Sequence, residues 1–236
     1  HLSLCRQRQM CIRDSYSVMP AFLLAASIFG CFATSSLAQT SALEPLAPRA
    51  VTQDRLEAPE PENWLSYRGN YAGWGFSPLD QINSDNVGQM RNAWSFSTGV
   101  DGGHESPPIV NDGVMYITTP DNFLFALDAR TGDLMWMYEH DLPERLVAIH
   151  NTNRGVALHG DRVFMATLDA RILALDAKTG DKLWDVSIAD NATGYYMTTA
   201  PLTAEGLVMA GVSGGELGIR GFVTVSYTHL TLPTKA

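Results

Sequence analysis

The sequence predicts an all-β protein that forms part of a β-propeller, and an internal repeat carries this prediction. The segments FLFALDARTGDLMWMYE (123–139) and RILALDAKTGDKLWDVS (171–187) align without a gap at a spacing of 48 residues. A fixed period of about 40–50 residues is typical of propeller blades. From residue 64 onward, no segment shows the apolar period of an amphipathic helix. The favoured architecture is therefore a propeller assembled from small antiparallel sheets.

Each repeat has the composition of a strand, a tight turn and a second strand. Alternating apolar residues precede the sequence Asp-Ala-Arg/Lys-Thr-Gly, and Leu and Trp follow it. The turn needs a residue with positive φ, which Gly132 and Gly180 provide. The repeated Trp136 and Trp184 are expected to dock between neighbouring blades.

Further strands are expected on either side of these repeats. A partial copy, NAWSFSTG, lies at 92–99, and turn-plus-strand units at 111–119 and 159–169 keep the same 48-residue offset. A blade takes about 45 residues, so the propeller segment predicted at 64–223 holds about three to four blades.

Composition excludes several classes of function. The 236 residues are 45% apolar and 17% charged, which is ordinary for a globular protein and unlike a disordered chain or a polytopic membrane protein. Sixteen basic residues against 25 acidic ones give a net charge of -9. Because binding of nucleic acid needs a basic face, this class of function is not expected.

The N-terminal region predicts export to the periplasm. Residues 19–38 combine an apolar run with small residues at Ser36 and Ala38, the pattern of a cleaved signal peptide. A transmembrane anchor, which needs about 20 strongly apolar residues, and a lipoprotein site at Cys31 are the alternatives. All three cysteines lie in the first 31 residues, so the exported protein is expected to contain no disulfide. We expect it not to be an integral membrane protein.

Three other segments complete the predicted organisation. Residues 1–18 and 224–236 resemble translated sequencing-adapter runs and are expected not to belong to the natural protein. Residues 39–63 are rich in Pro, Ala and Glu without an apolar period, which predicts a flexible extension before the propeller. The chain is therefore expected to be a fragment of a longer protein.

Seven blocks follow one another from residue 64 to about 222. They are YRGNYAGWGFSPLDQINSDNVGQMRNAWSFSTG, GHESPPIVNDGVMYITTP, ALDARTGDLMW, NRGVALHGDRVF, ALDAKTGDKLW, TTAPL and SGGELGIRGF. In this order they resemble the pyrroloquinoline-quinone (PQQ) dependent dehydrogenases of the methanol/ethanol type. One block alone is weak evidence, because such Asp-Thr-Gly-Trp turns occur in many propellers, but seven in family order are specific.

The resemblance implies an eight-bladed quinoprotein propeller that holds PQQ and a metal ion, calcium or a lanthanide, near its axis. It implies an alcohol dehydrogenase that oxidises an alcohol to an aldehyde by hydride transfer to metal-polarised PQQ. Electrons would pass to cytochrome c or to the quinone chain, and the full-length parent is compatible with a homodimer. In the family the catalytic aspartate and the remaining metal ligands lie in later blades. This chain is therefore expected to have no dehydrogenase activity and no tight PQQ site.

The resemblance also carries residue roles to matching positions. PQQ is a flat tricarboxylate, so its pocket needs cations, donors and flat packing. Glu105 matches the family's acid at the cofactor edge, Arg154 the arginine that contacts a PQQ oxygen, and Thr198 the threonine that contacts a carboxylate. Glu216 matches the carboxylate that coordinates the metal. The small segment that approaches the cofactor matches Ser213, Gly214 and Gly215.

Each of these residues also fits a purely structural role. Glu105 and Glu216 fit solvated loop acids, Arg154 a surface ion-pair partner and Thr198 a turn residue, while the glycines fit a hairpin turn. Their joint presence in the family blocks favours a cofactor site. It argues against the second hypothesis, a cofactor-free scaffold of the outer-membrane assembly lipoprotein type. His104 is interpreted as a structural loop histidine.

One position departs from the methanol-type pattern. Those members carry adjacent cysteines five and six residues before the arginine, where this chain has Ile149 and Ala148. His150 lies four residues before Arg154, the spacing at which sugar-oxidising relatives pack a histidine against the cofactor. Our hypothesis is that His150, with Ile149, replaces the disulfide. A solvent-facing loop histidine is the alternative.

Overall fold

The computed structural model describes residues 43–229, which form three antiparallel β-sheets. Within this range lie eleven strands, one short α-helix, α1 (Gln53–Glu57), and four 3-10 turns. The all-β class and the partial propeller are therefore confirmed. No helix in this range is long and apolar enough to cross a membrane. The expected signal peptide at 19–38, the segment 1–18 and residues 230–236 lie outside the described residues.

The first sheet has four strands that pair in chain order. They are β1 (Ile109–Asn111), β2 (Val114–Thr118), β3 (Phe123–Asp128) and β4 (Leu134–Glu139). The register of β3 against β4 shifts after Ala126. The four central residues of β3 are all buried. Both faces of the strand are covered, because Leu124 and Ala126 belong to the core shared with the second blade and Phe125 packs against Phe96, with ring centroids 5.5 Å apart.

The second sheet repeats the first. Its strands are β5 (Val156–His159), β6 (Arg162–Ala166), β7 (Arg171–Asp176) and β8 (Lys182–Ser187), again in chain order. The register shift of β7 against β8 follows Ala174, 48 residues after the shift in the first sheet. The predicted repeat is therefore a repeat of whole four-stranded blades.

The third sheet has three strands, β9 (Leu202–Ala204), β10 (Leu207–Gly211) and β11 (Val223–Tyr227), with β10 in the middle. β11 crosses the boundary at residue 224 where the predicted non-natural tail begins. Tyr227 pairs with Leu207 as Asp128 pairs with Val114 in the first blade. Thr228 donates its backbone N–H to the carbonyl of Gly206 at 2.9 Å, as Ala129 does to that of Gly113 in the first blade.

The turns of the first two blades have the predicted chemistry. Asp128 accepts the backbone N–H of Arg130 at 2.9 Å, and Asp176 accepts that of Lys178 at 2.8 Å. Gly132 and Gly180 have φ of 78° and 77°. Both glycines therefore take the left-handed conformation that the sequence predicts.

Tryptophans dock on the turns of the first two blades. Trp94 comes from the segment 91–100, in which the structure has no strand although the sequence predicts one at 92–99, and Trp136 comes from β4 of the first blade. The indole N–H of Trp94 donates to the carbonyl of Ala129 at 3.1 Å, and that of Trp136 donates to Ala177 at 3.2 Å. Each ring also covers the glycine of the turn that it contacts. A Cβ on Gly132 would lie 2.5 Å from the Trp94 ring, and one on Gly180 would lie 2.6 Å from the Trp136 ring. The predicted docking of Trp136 between blades is thus confirmed.

Trp184 is the equivalent tryptophan of the second blade, but within the described residues it lacks the hydrogen bond that Trp94 and Trp136 make. Its side chain is 2% exposed and packs against Phe164, with ring centroids 5.8 Å apart. Its indole N–H has no hydrogen-bond acceptor within residues 43–229.

Alternating residues of β7 belong to two different hydrophobic cores. In β7, Leu173 and Leu175 belong to a cluster shared with the first blade, whereas Ile172 and Ala174 belong to a cluster shared with the third. Successive side chains of a strand point to opposite faces of the sheet. The middle blade is therefore buried on both faces.

Residues 43–63 differ from the expected flexible extension. Val51 pairs with Gly160 in an isolated antiparallel bridge, and Leu56, on α1, is 1% exposed in the first core. The short helix was not predicted either, since five residues are too few to show a period. The segment packs because its few apolar residues reach the core between the first two blades.

An ion-pair cluster holds this segment to the first blade. Arg49 contacts Asp112 at 2.6 Å, and Arg55 contacts Glu60 at 2.8 Å. Hydrogen bonds from Arg55 lower the pKa of Glu60 to about 2. Those from Arg49 hold the pKa of Asp112 well below its usual range. Both carboxylates are therefore charged in the folded protein at mildly acidic pH.

Acid is expected to loosen this segment. Glu60 has an ordinary pKa of 4.5 and a folded pKa of about 2, so its contribution is complete above 4.5 and is lost as pH falls towards 2. Asp112→Asn should lower stability at neutral pH and weaken its dependence on acid. Urea midpoints at neutral pH and at about pH 3 test this. Asp101→Asn, which removes an exposed acid, should keep the parent's acid dependence.

Gly180→Ala is expected to destabilise the fold by about 2–5 kcal/mol, from the left-handed conformation and the clash with Trp136 together. Gly160→Ala is the matched control, because Gly160 has φ of 59° and a Cβ there would meet nothing within 4 Å. It should cost only about 1–2 kcal/mol. Equal costs in urea unfolding would show that the tryptophan contact adds nothing.

Candidate functional site

The predicted site residues lie at one end of the three blades. Glu105 comes shortly before β1, Arg154 before β5 and Thr198 before β9, so each occupies the entry to the first strand of its blade. The turns that carry Gly132 and Gly180 lie at the opposite end of the strands. The repeat therefore brings residues that are distant in sequence to a common face.

Arg154 connects the three blades. Its Nη2 lies 2.8 Å from Oε2 of Glu105, and its Nη1 donates to Oγ1 of Thr198 at 2.7 Å. The backbone N–H of Arg154 also donates to the carbonyl of Thr198 at 3.0 Å. Thr152 adds a longer contact to Glu105, at 3.4 Å. The guanidinium is held in one orientation while 35% of its side chain stays exposed.

Asn153 fixes the backbone on which Arg154 lies. Its side chain is 1% exposed, and its amide uses all of its hydrogen-bonding capacity. The Nδ2 group donates to Oδ1 of Asn122 and to the carbonyl of Ala166, both at 2.9 Å. Oδ1 accepts from the hydroxyl of Thr118 at 2.9 Å and from the N–H of Gly155 at 3.0 Å. The first and second blades thereby hold this loop together.

The small segment from Ser213 to Gly215 lies beside this cluster. The hydroxyls of Ser213 and Thr198 are 3.4 Å apart, and the N–H of Ser213 donates to the carbonyl of Tyr196 at 2.7 Å. Gly214 has φ of 118°, and a Cβ there would lie 2.1 Å from the carbonyl oxygen of Gly194. Glycine is therefore required at 214 by a close approach of two backbones.

Glu216 is held by a tyrosine that sequence reasoning missed. The hydroxyl of Tyr196, a residue 2% exposed, donates to Oε1 of Glu216 at 2.7 Å. This hydrogen bond lowers the pKa of Glu216, and positive charge on His150 contributes less. Burial and the neighbouring carboxylate raise the pKa of Tyr196 to about 12. Glu216 is therefore ionised and oriented near neutral pH.

The spacing of two residues along an extended segment is a signal that could have revealed Tyr196 and Thr152, the two contact residues that the sequence analysis did not identify. Tyr196 precedes Thr198 by two residues, and Thr152 precedes Arg154 by two. In extended backbone, residues two apart lie on the same face. Each missed residue therefore lies on the same side of its segment as the residue that was predicted.

His104 and His150 lie in different environments. The ring of His104 lies 3.0 Å from the Thr98 hydroxyl and 3.1 Å from the Gly102 carbonyl, which fits the predicted loop role. His150 and Ile149 are exposed, Ile149 by 48%. His150 is close enough to influence the pKa of Glu216. It therefore lies on the same side of the molecule as the cluster.

The described residues do not form a complete metal site. Within 43–229 no three His, Cys, Asp or Glu side chains come together in a group that could hold an ion. Glu216 would supply a single carboxylate, whereas calcium takes about six to eight oxygen ligands.

Antiparallel blades with a polar cluster gathered at one end define a partial β-propeller with a candidate ligand site on that face. Residues 64–215 match the PQQ family model described as glucose/ethanol/alcohol dehydrogenase, beta-propeller domain. The chain belongs to this family.

Relatives and solved structures agree with this assignment. The chain is 37% identical over 195 residues to quinoprotein alcohol dehydrogenase PedH of Pseudomonas putida, covering 80% of the chain and 33% of the relative. It is 42% identical over 195 residues to quinohemoprotein alcohol dehydrogenase ADH-IIG of Pseudomonas putida, covering 80% and 27%. A europium-containing methanol dehydrogenase superposes with a TM-score of 0.71 at 41% identity, over 75% of this chain and 31% of that one. The chain thus spans about a third or less of the length of these proteins.

Tyr196→Phe is expected to raise the pKa of Glu216 towards its ordinary value, because the carboxylate loses its hydrogen-bond donor. Carboxyl chemical shifts followed by NMR through an acid titration measure this. Tyr195→Phe is the control, since Tyr195 packs against Phe222 and should leave the titration unchanged. An unchanged Glu216 titration in Tyr196→Phe would contradict the assigned contact.

Proposed function

We propose that this chain is the N-terminal part of a periplasmic PQQ-dependent alcohol dehydrogenase and supplies one wall of its cofactor site. The observation that carries the proposal is the cluster of Glu105, Arg154, Thr198 and Ser213, assembled from three blades at one face. Membership of the family supports PQQ as the cofactor. The cluster supports these four residues as the part of the chain that contacts it.

The donors present fit PQQ. A guanidinium carries five N–H donors in a planar fork. Thr198 and Glu105 orient two of its nitrogens, which leaves further N–H groups for an oxygen of the quinone. The hydroxyl of Ser213 and the backbone around Gly214 supply neutral donors nearby. This set of donors fits the binding of a planar anion better than it fits the alternative role of Arg154 as a partner in a solvated surface ion pair.

His150 and Ile149 are proposed to cover the face of the quinone. Their exposure on the side of the cluster supports this role, since flat packing needs accessible rings or aliphatic groups. They would take the place of the vicinal disulfide that methanol-type members carry. The sequence contains no cysteine after position 31, so such a disulfide cannot form in this loop.

Glu216 is proposed as one ligand of a calcium or lanthanide ion in the whole enzyme. Its ionised, oriented carboxylate supports this role. The remaining ligands and the catalytic aspartate are proposed to belong to later blades, so no reaction step is assigned to this chain. When bound, PQQ would accept the hydride of an alcohol in the whole protein.

The substrate and electron acceptor are proposed from the relatives. Their names describe quinoprotein and quinohemoprotein alcohol dehydrogenases, which supports an alcohol substrate and a haem acceptor such as cytochrome c. A relative named alcohol dehydrogenase (quinone), dehydrogenase subunit, supports the quinone chain as the other proposed acceptor. Location in the periplasm rests on the leader predicted at 19–38. A homodimer of the whole protein stays part of the same proposal.

Binding of PQQ by the 236-residue chain tests the site. We expect weak, saturable binding, measured by equilibrium dialysis, and no PQQ-dependent dye reduction. Arg154→Ala should raise the dissociation constant about tenfold or more, because a hydrogen bond to a charged group is lost. His150→Ala should raise it less and change the quinone absorption spectrum.

Arg130→Ala is the matched control for this experiment. Arg130 is ion-paired with Asp128 and similarly exposed, at 36%, but lies at the opposite end of the blade. It should leave PQQ binding unchanged. Absent binding, or equal losses in both arginine variants, would refute the proposed site, and dye reduction would refute the absence of catalysis.

A further inference from the structure

Asn191 is a buried amide that neither the fold repeat nor the cofactor cluster accounts for. It begins the 3-10 turn Asn191–Thr193, and its side chain is 8% exposed. The equivalent position in the first blade, 48 residues earlier, is Pro143. Asn191 is therefore not part of the blade repeat, and its contacts need a separate explanation.

The side chain of Asn191 pairs with both backbone groups of Val147. Its Oδ1 accepts the N–H of Val147 at 2.9 Å, and its Nδ2 donates to the carbonyl of Val147 at 2.8 Å. This imitates one step of a β-ladder, so it restrains both the position and the orientation of the peptide. Val147 is followed directly by Ala148, Ile149 and His150, the segment that departs from the methanol-type pattern.

The same amide is anchored to the second blade. Nδ2 also contacts the carbonyl of Leu168, between β6 and β7, at 3.1 Å and that of Tyr195 at 2.8 Å. Leu168 is completely buried. The loop at 147–150 is thus tied through one side chain to a rigid part of the fold rather than to another surface loop.

The turn that Asn191 begins also supports the other side of the site. It ends at Gly194, which has φ of 104° and whose carbonyl lies against Gly214. Two residues later, Tyr196 pairs with Ser213 and holds Glu216. One short stretch, 191–196, therefore contacts both the 147–150 loop and the 213–216 segment.

We propose that Asn191 is a positioning residue that sets the 147–150 loop, with Ile149 and His150, against the Ser213–Glu216 segment, so that a flat ligand fits between them. This rests on the proposed PQQ site for the identity of the ligand. The placement of the loop itself rests only on the four contacts of the Asn191 amide.

Loss of the amide should release the loop without unfolding the blades. In Asn191→Ala, the amide hydrogen of Val147 loses its acceptor, so its exchange with solvent should be at least about tenfold faster, and exchange at 148–150 should follow. The dissociation constant for PQQ should rise severalfold. Hydrogen exchange by NMR and equilibrium dialysis with PQQ, both on the 236-residue chain, measure these effects.

Asn63→Ala is the matched control. Asn63 is also a buried amide, 5% exposed, and accepts the N–H of Asp112 at 2.6 Å on the N-terminal segment. Its loss should lower stability but leave exchange at Val147 and binding of PQQ unchanged. Asn191→Ser, which keeps a short hydroxyl, serves as a milder variant if the alanine variant does not fold.

The outcomes separate this proposal from the proposed function. Unchanged exchange at Val147 in the Asn191 variants, or an equal increase in Asn63→Ala, overturns the positioning role whether or not PQQ binds. Faster exchange with unchanged PQQ affinity overturns its importance for the ligand. If the parent chain does not bind PQQ, the cofactor site fails, while faster exchange at Val147 alone would still support Asn191 as the residue that places the loop.

Discussion

The contact between a tryptophan and the glycine turn of the blade that follows it is the interaction on which the rest of this structure depends. At both the Trp94–Gly132 and Trp136–Gly180 contacts, the ring fills the space that a Cβ would need, and the indole N–H bonds to a carbonyl of the same turn. Stacking fixes the distance between the two elements, and the hydrogen bond fixes their angle. At Trp136 and Gly180 they determine how the second sheet is placed relative to the first.

The site follows from this spacing, because no single blade contains it. Arg154 belongs to the middle blade, and its partners Glu105 and Thr198 precede the first strands of the blades on either side. The distances in these contacts are close to the ideal lengths of hydrogen bonds, so a displacement of one blade relative to the others would break them. Buried amides then hold the loops in place: Asn153 joins the first two blades, and Asn191 ties a loop to the second. The repeat thus supplies a rigid frame, and non-repeated residues at one end give the chain its particular chemistry.

Residues outside the repeat were predicted less well than those within it. The segment 43–63 packs on the blades through Val51 and Leu56, although its composition indicated a flexible extension. Isolated apolar residues in a Pro- and Glu-rich stretch carry no period, so their burial depends on a groove that only the assembled blades provide. Tyr196 was overlooked for a similar reason, since its contact with Glu216 spans 20 residues and two loops.

The amino-acid sequence by itself determined the blade repeat, its turns, its interblade tryptophans and the residues that match the family. These features are local or periodic, so they can be read from spacing and residue type. Only the tertiary structure decided that Glu105, Arg154, Thr198 and Ser213 form one hydrogen-bonded cluster. It alone also revealed Asn191 as the link between two loops of the site. The physical reason is that hydrogen bonds between loops depend on how whole sheets pack, and packing of sheets is a property of many residues at once.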